Sequence, residues 1–143
     1  MRVAEGLRTF YRSGDVSPAW LEALRAASSA PADVWRHGLA AVLREAGVII
    51  GGVGFKGPPD ADGVVEVAYG IAPEFQGVGY ATEAVAAAVA YVFATEPVRR
   101  VVAHTLPTGQ ASMRVLTKCG FEHVGEVVDA EDGRVWRWER GRQ

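Results

Sequence analysis

The sequence contains a single cysteine, Cys119, among its 143 residues. One thiol cannot form an internal disulfide or a cysteine metal cage, so a disulfide-stapled domain is excluded and a reducing compartment such as the cytoplasm is expected. The only histidines are His37, His104 and His123, and their spacing is not that of a metal site. The sequence therefore predicts no bound metal.

Long apolar runs and a strong excess of one charge are also missing. The longest apolar run, residues 84–94, is too short and too rich in alanine to span a bilayer, which takes about 20 residues. No charged segment followed by an apolar run indicates a secretion signal. The formal net charge is −2, which disfavours a nucleic-acid-binding surface. These absences predict a soluble, cytoplasmic protein without a membrane or nucleic-acid partner.

The chain does have a high hydrophobic content, 49%, in a length typical of one domain. Because nothing in it resembles a linker, residues 1–143 are predicted to form a single domain. Ser17 and Pro18 indicate the start of a helix, since serine can cap a helix and proline needs no amide partner in the first turn.

Further along the chain, alternating apolar residues and turn residues predict six strands, at 39–43, 48–55, 64–71, 99–106, 121–128 and 134–139. Two more helices are predicted at 82–95 and 110–119, the second ending at Gly120 as a left-handed cap. The order of helix, strands, helix, strand, helix, strands is typical of a mixed sheet flanked by helices, of the α/β or α+β class.

The loop at residues 76–81, Gln-Gly-Val-Gly-Tyr-Ala, carries the strongest functional signal. Amides in the first turn of a helix have no partner within the helix, and the helix dipole adds roughly half a positive charge there. A helix start can therefore bind an anion. Gly77 and Gly79 let the backbone approach a phosphate closely, and Ala81 is small enough to keep that approach open. Glycines before a helix are by themselves a weak signal, because many such turns serve only to turn the chain.

Two familiar phosphate-binding loops do not fit this stretch. A Rossmann fingerprint needs a third glycine and an acidic residue about 20 positions later, and the third glycine is absent. A P-loop needs Gly-Lys followed by Ser or Thr, whereas Gly79 is followed by Tyr80. Neither fingerprint explains the loop.

Two stretches of the chain resemble the GCN5-related N-acetyltransferases (GNAT). The first, YGIAPEFQGVGYATEA at residues 69–84, resembles that family's acetyl-CoA loop, which reads Arg or Gln, two residues, Gly, one residue, then Gly or Ala. Gln76, Gly79 and Ala81 stand at the matching places. The second, ASMRVLTKCGF at residues 111–121, is similar to a later helix of the family and its Gly-Phe ending. The residues in these two stretches favour the branch that includes ribosomal-protein N-terminal acetyltransferases. The resemblance covers about residues 45–140.

The resemblance implies a fold, a co-substrate and a reaction. The sheet should be mixed, mostly antiparallel, and splayed between its fourth and fifth strands, with acetyl-CoA lying in the gap. An amine acceptor should attack the thioester directly, without a metal, while a free backbone amide near Ile71 stabilises the oxyanion. The pantetheine arm should pair with the backbone of residues 69–71, and amides of residues 77–82 should hold the pyrophosphate. The implied cofactor-binding residues are Tyr69, Ile71, Gln76, Gly77, Val78, Gly79, Tyr80, Ala81 and Thr82.

Glu66 and Ser112 are the candidate catalytic residues. Glu66 is charged in the middle of an apolar strand, so it either alternates onto a solvated face or takes the proton of the amine, directly or through water. Ser112 either caps its helix or donates a proton to the departing thiolate, as the resemblance implies. Many members carry a tyrosine where Leu116 stands, so Ser112 is the better candidate acid. Gly109 replaces an asparagine that often contacts the pantetheine arm.

A rival interpretation is an acyl-CoA-binding sensor of the same fold without turnover, and the replacement at Gly109 is consistent with it. The acceptor is left open among protein N-termini, polyamines, amino acids and amino-group antibiotics. A homodimer is also left open, because dimers are common among the proteins that the chain resembles. His104 could face the acceptor, although a hydrogen-bonded histidine without a catalytic role is the more common case.

Overall fold

The structure is a computed structural model that describes residues 2–3, 34–43 and 46–142. The helix predicted to begin at Ser17 lies outside the described residues. Seven strands are described, at β1 (Arg2–Val3), β2 (Leu39–Leu43), β3 (Val48–Phe55), β4 (Val64–Ile71), β5 (Arg100–Thr105), β6 (Glu122–Asp129) and β7 (Gly133–Gly141). The helices are α1 (Val34–His37), α2 (Tyr80–Thr95) and α3 (Gln110–Lys118), with a 3-10 turn at Pro73–Phe75.

The strands form one sheet in the order β1-β3-β4-β5-β7-β6, with β2 also paired to β3. The pairs β2–β3, β3–β4, β5–β7 and β6–β7 are antiparallel, whereas β1–β3 and β4–β5 are parallel. The predicted class, a mixed and mostly antiparallel sheet flanked by helices, is confirmed.

Glycines at positive φ set the limits of the two long helices. Gly79 precedes α2 in the left-handed conformation, at φ 94°, so α2 begins at Tyr80, two residues before the predicted start. Gly120 follows α3 at φ 86°, as predicted for a left-handed cap. Residues other than glycine rarely adopt these angles. Both boundaries are therefore properties of the local sequence.

The core lies between α2, α3 and one face of the sheet. Val85, Val89 and Val92 of α2 are fully buried, as is Leu116 of α3. Removing such a side chain from water stabilises the fold by roughly 1.5–3 kcal/mol each. Opposite them lie alternate strand residues of the same buried cluster, among them Val65, Val67, Val101, Ala103 and Trp138. The strand residues between these point to the other face of the sheet, so β4 and β5 carry Glu66 and His104 there.

The sheet divides between β4 and β5. The parallel pairing joins only Val64 to Arg100, Val65 to Val101 and Glu66 to Val102. Beyond these residues β4 stays paired with β3 as far as Ile71, and β5 stays paired with β7 as far as Thr105. Each of the two strands thus stays paired with its outer neighbour while β4 and β5 separate from each other. The predicted splay between the fourth and fifth strands is confirmed.

Candidate active site

The backbone of β4 presents polar groups to the gap. The carbonyl of Glu66 accepts from the amide of Lys56 at 2.9 Å, and the amide of Ala72 donates to the carbonyl of Ile50 at 2.7 Å. Even-numbered residues of β4 therefore bond to β3. Because the direction alternates along an antiparallel ladder, the amides and carbonyls of Tyr69 and Ile71 point to the opposite edge, where β5 has diverged.

Gln76 connects the end of β4 to the glycine loop. Its side-chain Nε2 donates to the carbonyl of Ile71 at 2.8 Å, across the 3-10 turn. Gly77 and Gly79 both have positive φ, 80° and 94°. These conformations bring the chain around so that the first turn of α2 faces the gap. The side chain of Gln76 thus holds the loop to the end of β4, in addition to matching the family motif.

A cavity of about 460 Å³ lies between the end of β4, the loop and α3. Seven of the nine predicted cofactor-binding residues line it, together with the candidate acid Ser112: Tyr69, Ile71, Gln76, Gly77, Gly79, Ala81 and Thr82. The side chains of the other two point elsewhere. Val78 is 68% exposed, and the ring of Tyr80 packs on Phe75 with centroids 6.3 Å apart.

Two basic residues of α3 also line this cavity. Arg114 and Lys118 are one helical turn apart, on the side of α3 that faces Gly77 and Gly79. Sequence reasoning did not assign them a role. Their i, i+4 spacing on a predicted helix was a usable signal, because such a pair shares one face. Their positive charges make the cavity suited to an anionic ligand.

A second cavity, of about 200 Å³, opens on the other side of the gap. It shares Tyr69 and Ser112 with the first cavity, so these residues stand where the two meet. Its lining is polar and carries ionisable groups from four segments of the chain: Lys56, Glu66, His104, Asp129 and Asp132.

Glu66 is held by two neighbours in the second cavity. Its Oε2 lies 2.7 Å from Nζ of Lys56 and 3.2 Å from Nδ1 of His104. The hydrogen bond to Glu66 raises the pKa of Lys56 above its ordinary value of 10.5, so Lys56 is charged at neutral pH. Glu66 is therefore neither a freely solvated residue nor an isolated carboxylate.

Tyr69 ties β4 to the start of α3. Its hydroxyl donates to the backbone carbonyl of Ser112 at 3.3 Å, and burial raises its pKa above the ordinary value of 10.0. Gly109 precedes α3 with φ −80°, and a Cβ added there would lie 3.2 Å from the carbonyl oxygen of Leu106. An asparagine at this position would thus be crowded, which gives the observed glycine a local structural reason.

Two kinds of feature are absent from the described part of the chain. No three His, Cys, Asp or Glu side chains there converge as metal ligands would. No helix among residues 34–43 and 46–142 is long and apolar enough to cross a membrane.

Comparison with known proteins identifies the family. The family model described as an acetyltransferase (GNAT) domain matches residues 5–122. The uncharacterised N-acetyltransferase YjdG of Bacillus subtilis (strain 168) is 32% identical over 73 residues, which are 51% of this chain and 44% of YjdG. The chain therefore spans less than half of that curated relative.

Two solved structures are similar in fold. A ribosomal-protein-S5-alanine acetyltransferase from Vibrio fischeri superimposes with a TM-score of 0.64 at 23% identity, over 70% of this chain and 58% of that one. The enzyme AAC(6')-Ib in complex with ribostamycin and coenzyme A superimposes with a TM-score of 0.61 at 26% identity, over 68% and 60%. The family predicted from the two motifs is confirmed: the chain belongs to the GNAT acetyltransferases.

Proposed function

We propose that the protein transfers an acetyl group from acetyl-CoA to an amine acceptor by direct attack on the thioester. The observation that carries this proposal is the meeting of two unlike cavities at Tyr69 and Ser112. One is suited to an anionic cofactor and the other is lined by carboxylates. A reaction that joins two substrates needs such a junction.

Acetyl-CoA is assigned to the larger cavity on physical grounds. Its pyrophosphate suits the start of α2, where unpaired amides and the helix dipole favour an anion. Arg114 and Lys118 add positive charge to the same cavity. The pantetheine arm contains amides that can pair with the gap-facing backbone of Tyr69 and Ile71 like an added strand. AAC(6')-Ib, at 26% identity, binds coenzyme A, which supports the assignment.

The reaction forms one bond and breaks another. The amine loses a proton, and the departing thiolate gains one. The amine nitrogen bonds to the acetyl carbon, the carbon–sulfur bond breaks, and coenzyme A leaves as a thiolate that takes up a proton. The amide of Ile71 faces the gap, which supports the proposal that it stabilises the oxyanion. Ser112 lines both cavities and can supply the thiolate's proton. The proton lost by the amine goes to a base in the smaller cavity, which Glu66 and His104 both line.

The lining of the smaller cavity bears on the class of the acceptor amine. Among the similar structures, one is a ribosomal-protein-S5-alanine acetyltransferase and another holds the aminoglycoside ribostamycin. Three carboxylates line the smaller cavity, Glu66, Asp129 and Asp132. Such a lining favours a positively charged acceptor over a neutral or anionic one.

The test is thiol release with a panel of acceptors. Purified protein is mixed with acetyl-CoA and, separately, spermidine, ribostamycin, a peptide with N-terminal alanine, and free amino acids. Free coenzyme A is measured over time, and the product mass is checked for an added acetyl group. We expect thiol release above the rate without acceptor for at least one amine.

Calorimetry with acetyl-CoA alone separates this proposal from its rival. A protein that binds acetyl-CoA but releases no thiol with any amine would be a sensor of the same fold. A protein that does not bind acetyl-CoA would refute both.

A further inference from the structure

His104 and Glu66 form a pair across the gap-side face of the sheet. Glu66 has Val102 as its Cα partner on β5, and His104 lies two residues further along the same strand. Both side chains therefore leave the same face of the sheet. Nδ1 of His104 lies 3.2 Å from Oε2 of Glu66, and the two side chains are only 21% and 23% exposed. Both line the smaller cavity beside Tyr69 and Ser112.

The contacts of Glu66 make His104 the better proton acceptor of the pair. The oxygen that faces His104 also accepts from the ammonium of Lys56 at 2.7 Å. The lone pairs of Oε2 are thus already engaged by two donors when Nδ1 carries a proton. In contrast, no hydrogen bond to Nε2 of His104 is found among the described residues. A histidine whose Nδ1–H donates to a carboxylate has its free lone pair on Nε2.

We propose that Nε2 of His104 accepts the proton of the acceptor amine, and that Glu66 is a positioning residue that fixes the tautomer of His104. This inference rests on the proposed acetyl transfer and specifies its proton acceptor. As the nitrogen–carbon bond forms, the amine's proton moves to Nε2, and the resulting imidazolium is stabilised by the Glu66 carboxylate. After the product leaves, the proton returns to solvent and neutral His104 is restored.

Charged groups of both signs surround His104. Lys56, directly after β3, and Glu66 on β4 face the cavity, as do Asp129 at the end of β6 and Asp132 in the turn that follows. Arg137 on β7 is the Cα partner of His104, and it pairs with Glu139 at 3.2 Å. Because the acceptor attacks as the free amine, the rate should rise with pH as free amine becomes available.

The tautomer can be measured without any turnover. Protein labelled with 15N-histidine contains three imidazoles, and His104→Asn identifies the signals of His104 by their loss. When the ring is neutral, we expect it to carry its proton on Nδ1. In Glu66→Gln the amide can donate as well as accept, so the fraction of Nδ1–H should fall. A ring protonated mainly on Nε2 in the wild-type protein would overturn the proposal.

Chemical rescue tests the proton transfer itself. With the fastest amine of the acceptor panel, His104→Ala should lower kcat about 100-fold with little change in acetyl-CoA affinity. Added imidazole should restore part of the rate, in proportion to its neutral fraction. His123→Ala is the matched control, since His123 is exposed and stacks on Trp136, and it should show neither loss nor rescue.

An His104→Ala variant with the wild-type rate, or with a loss that imidazole does not reduce, would overturn the proposal. Wild-type protein inactive on every amine would instead refute the acetyl transfer, and the labelling experiment would still report whether Glu66 positions His104.

Discussion

Gly79 is needed for its backbone conformation and not for lack of space around a side chain. Its φ of 94° is strained for any residue with a side chain, yet a Cβ added there would meet no atom within 4 Å. Gly47, in the turn between β2 and β3, shares both properties, with φ 63° and open space around the Cβ position. Gly79 lines the larger cavity and Gly47 does not. The two glycines form a matched pair for testing the loop.

We expect Gly79→Val and Gly47→Val each to lower the free energy of unfolding by about 1–2 kcal/mol, the cost of left-handed backbone for a side-chain residue. Only Gly79→Val should weaken acetyl-CoA binding, at least ~10-fold or about 1.4 kcal/mol, because the amides of the first turn of α2 would reorient. Denaturant unfolding and calorimetry measure the two effects. Equal affinity in the two folded variants would remove the loop from the cofactor site.

At the scale of elements, β4 is a strand with two different edges. One edge is paired with β3 along residues up to Ile71, while the other is paired with β5 only as far as Glu66. This asymmetry is what opens a gap without breaking the sheet. It also predicts that neighbouring amides of β4 differ, because every second amide bonds to β3 and the amides between them face the gap.

Amide hydrogen exchange should distinguish the two edges. The amides of Ala68 and Gly70 bond to β3 and should exchange slowly with or without ligand. The amides of Tyr69 and Ile71 face the gap and should become protected only when acetyl-CoA fills it, that of Tyr69 by the pantetheine arm and that of Ile71 by the thioester oxygen. Exchange is measured by NMR on the free and the acetyl-CoA-saturated protein. Unchanged exchange at both Tyr69 and Ile71 would place the arm elsewhere.

At the scale of the whole molecule, three groups make stability depend on alkaline pH. Burial raises the pKa of the Cys119 thiol above 9.0 and that of Tyr69 above 10.0. The hydrogen bond to Glu66 raises that of Lys56 above 10.5. Each group keeps its proton to higher pH in the folded state than in the unfolded one. The stability that each group contributes is therefore fully present below its ordinary pKa. It is lost as pH rises through the pKa of the folded state.

Cys119 should be the first of the three to act. We expect the melting temperature of the wild-type protein to fall as pH rises above about 9. In Cys119→Ala the first part of this fall should be absent, although the variant should be less stable at pH 7 because packing around the buried sulfur is lost. Calorimetric scans of both proteins from pH 7 upward provide the measurement. Parallel curves would mean that the thiol does not contribute.

The sequence by itself determined the local elements and the family. The limits of β2, β3 and β4 were predicted residue for residue, because each apolar run ends near a glycine or a proline. The start of α2 was missed by two residues, since Gly79 serves as the residue before the helix. The family was predicted from two motifs, each contiguous in sequence, and seven of the nine predicted cofactor residues line one cavity.

Only the tertiary structure decided which residues meet across the gap. Lys56, Glu66 and His104 come from the end of β3 and from two strands that pair in parallel, so their contacts depend on strand order and register. Periodicity assigns a side chain to a face of its own strand, but it does not name the neighbours on that face. Arg114 and Lys118 reach the loop for the same reason, through the packing of α3 on the sheet. Long-range pairing, which no short stretch of sequence encodes, built the smaller cavity.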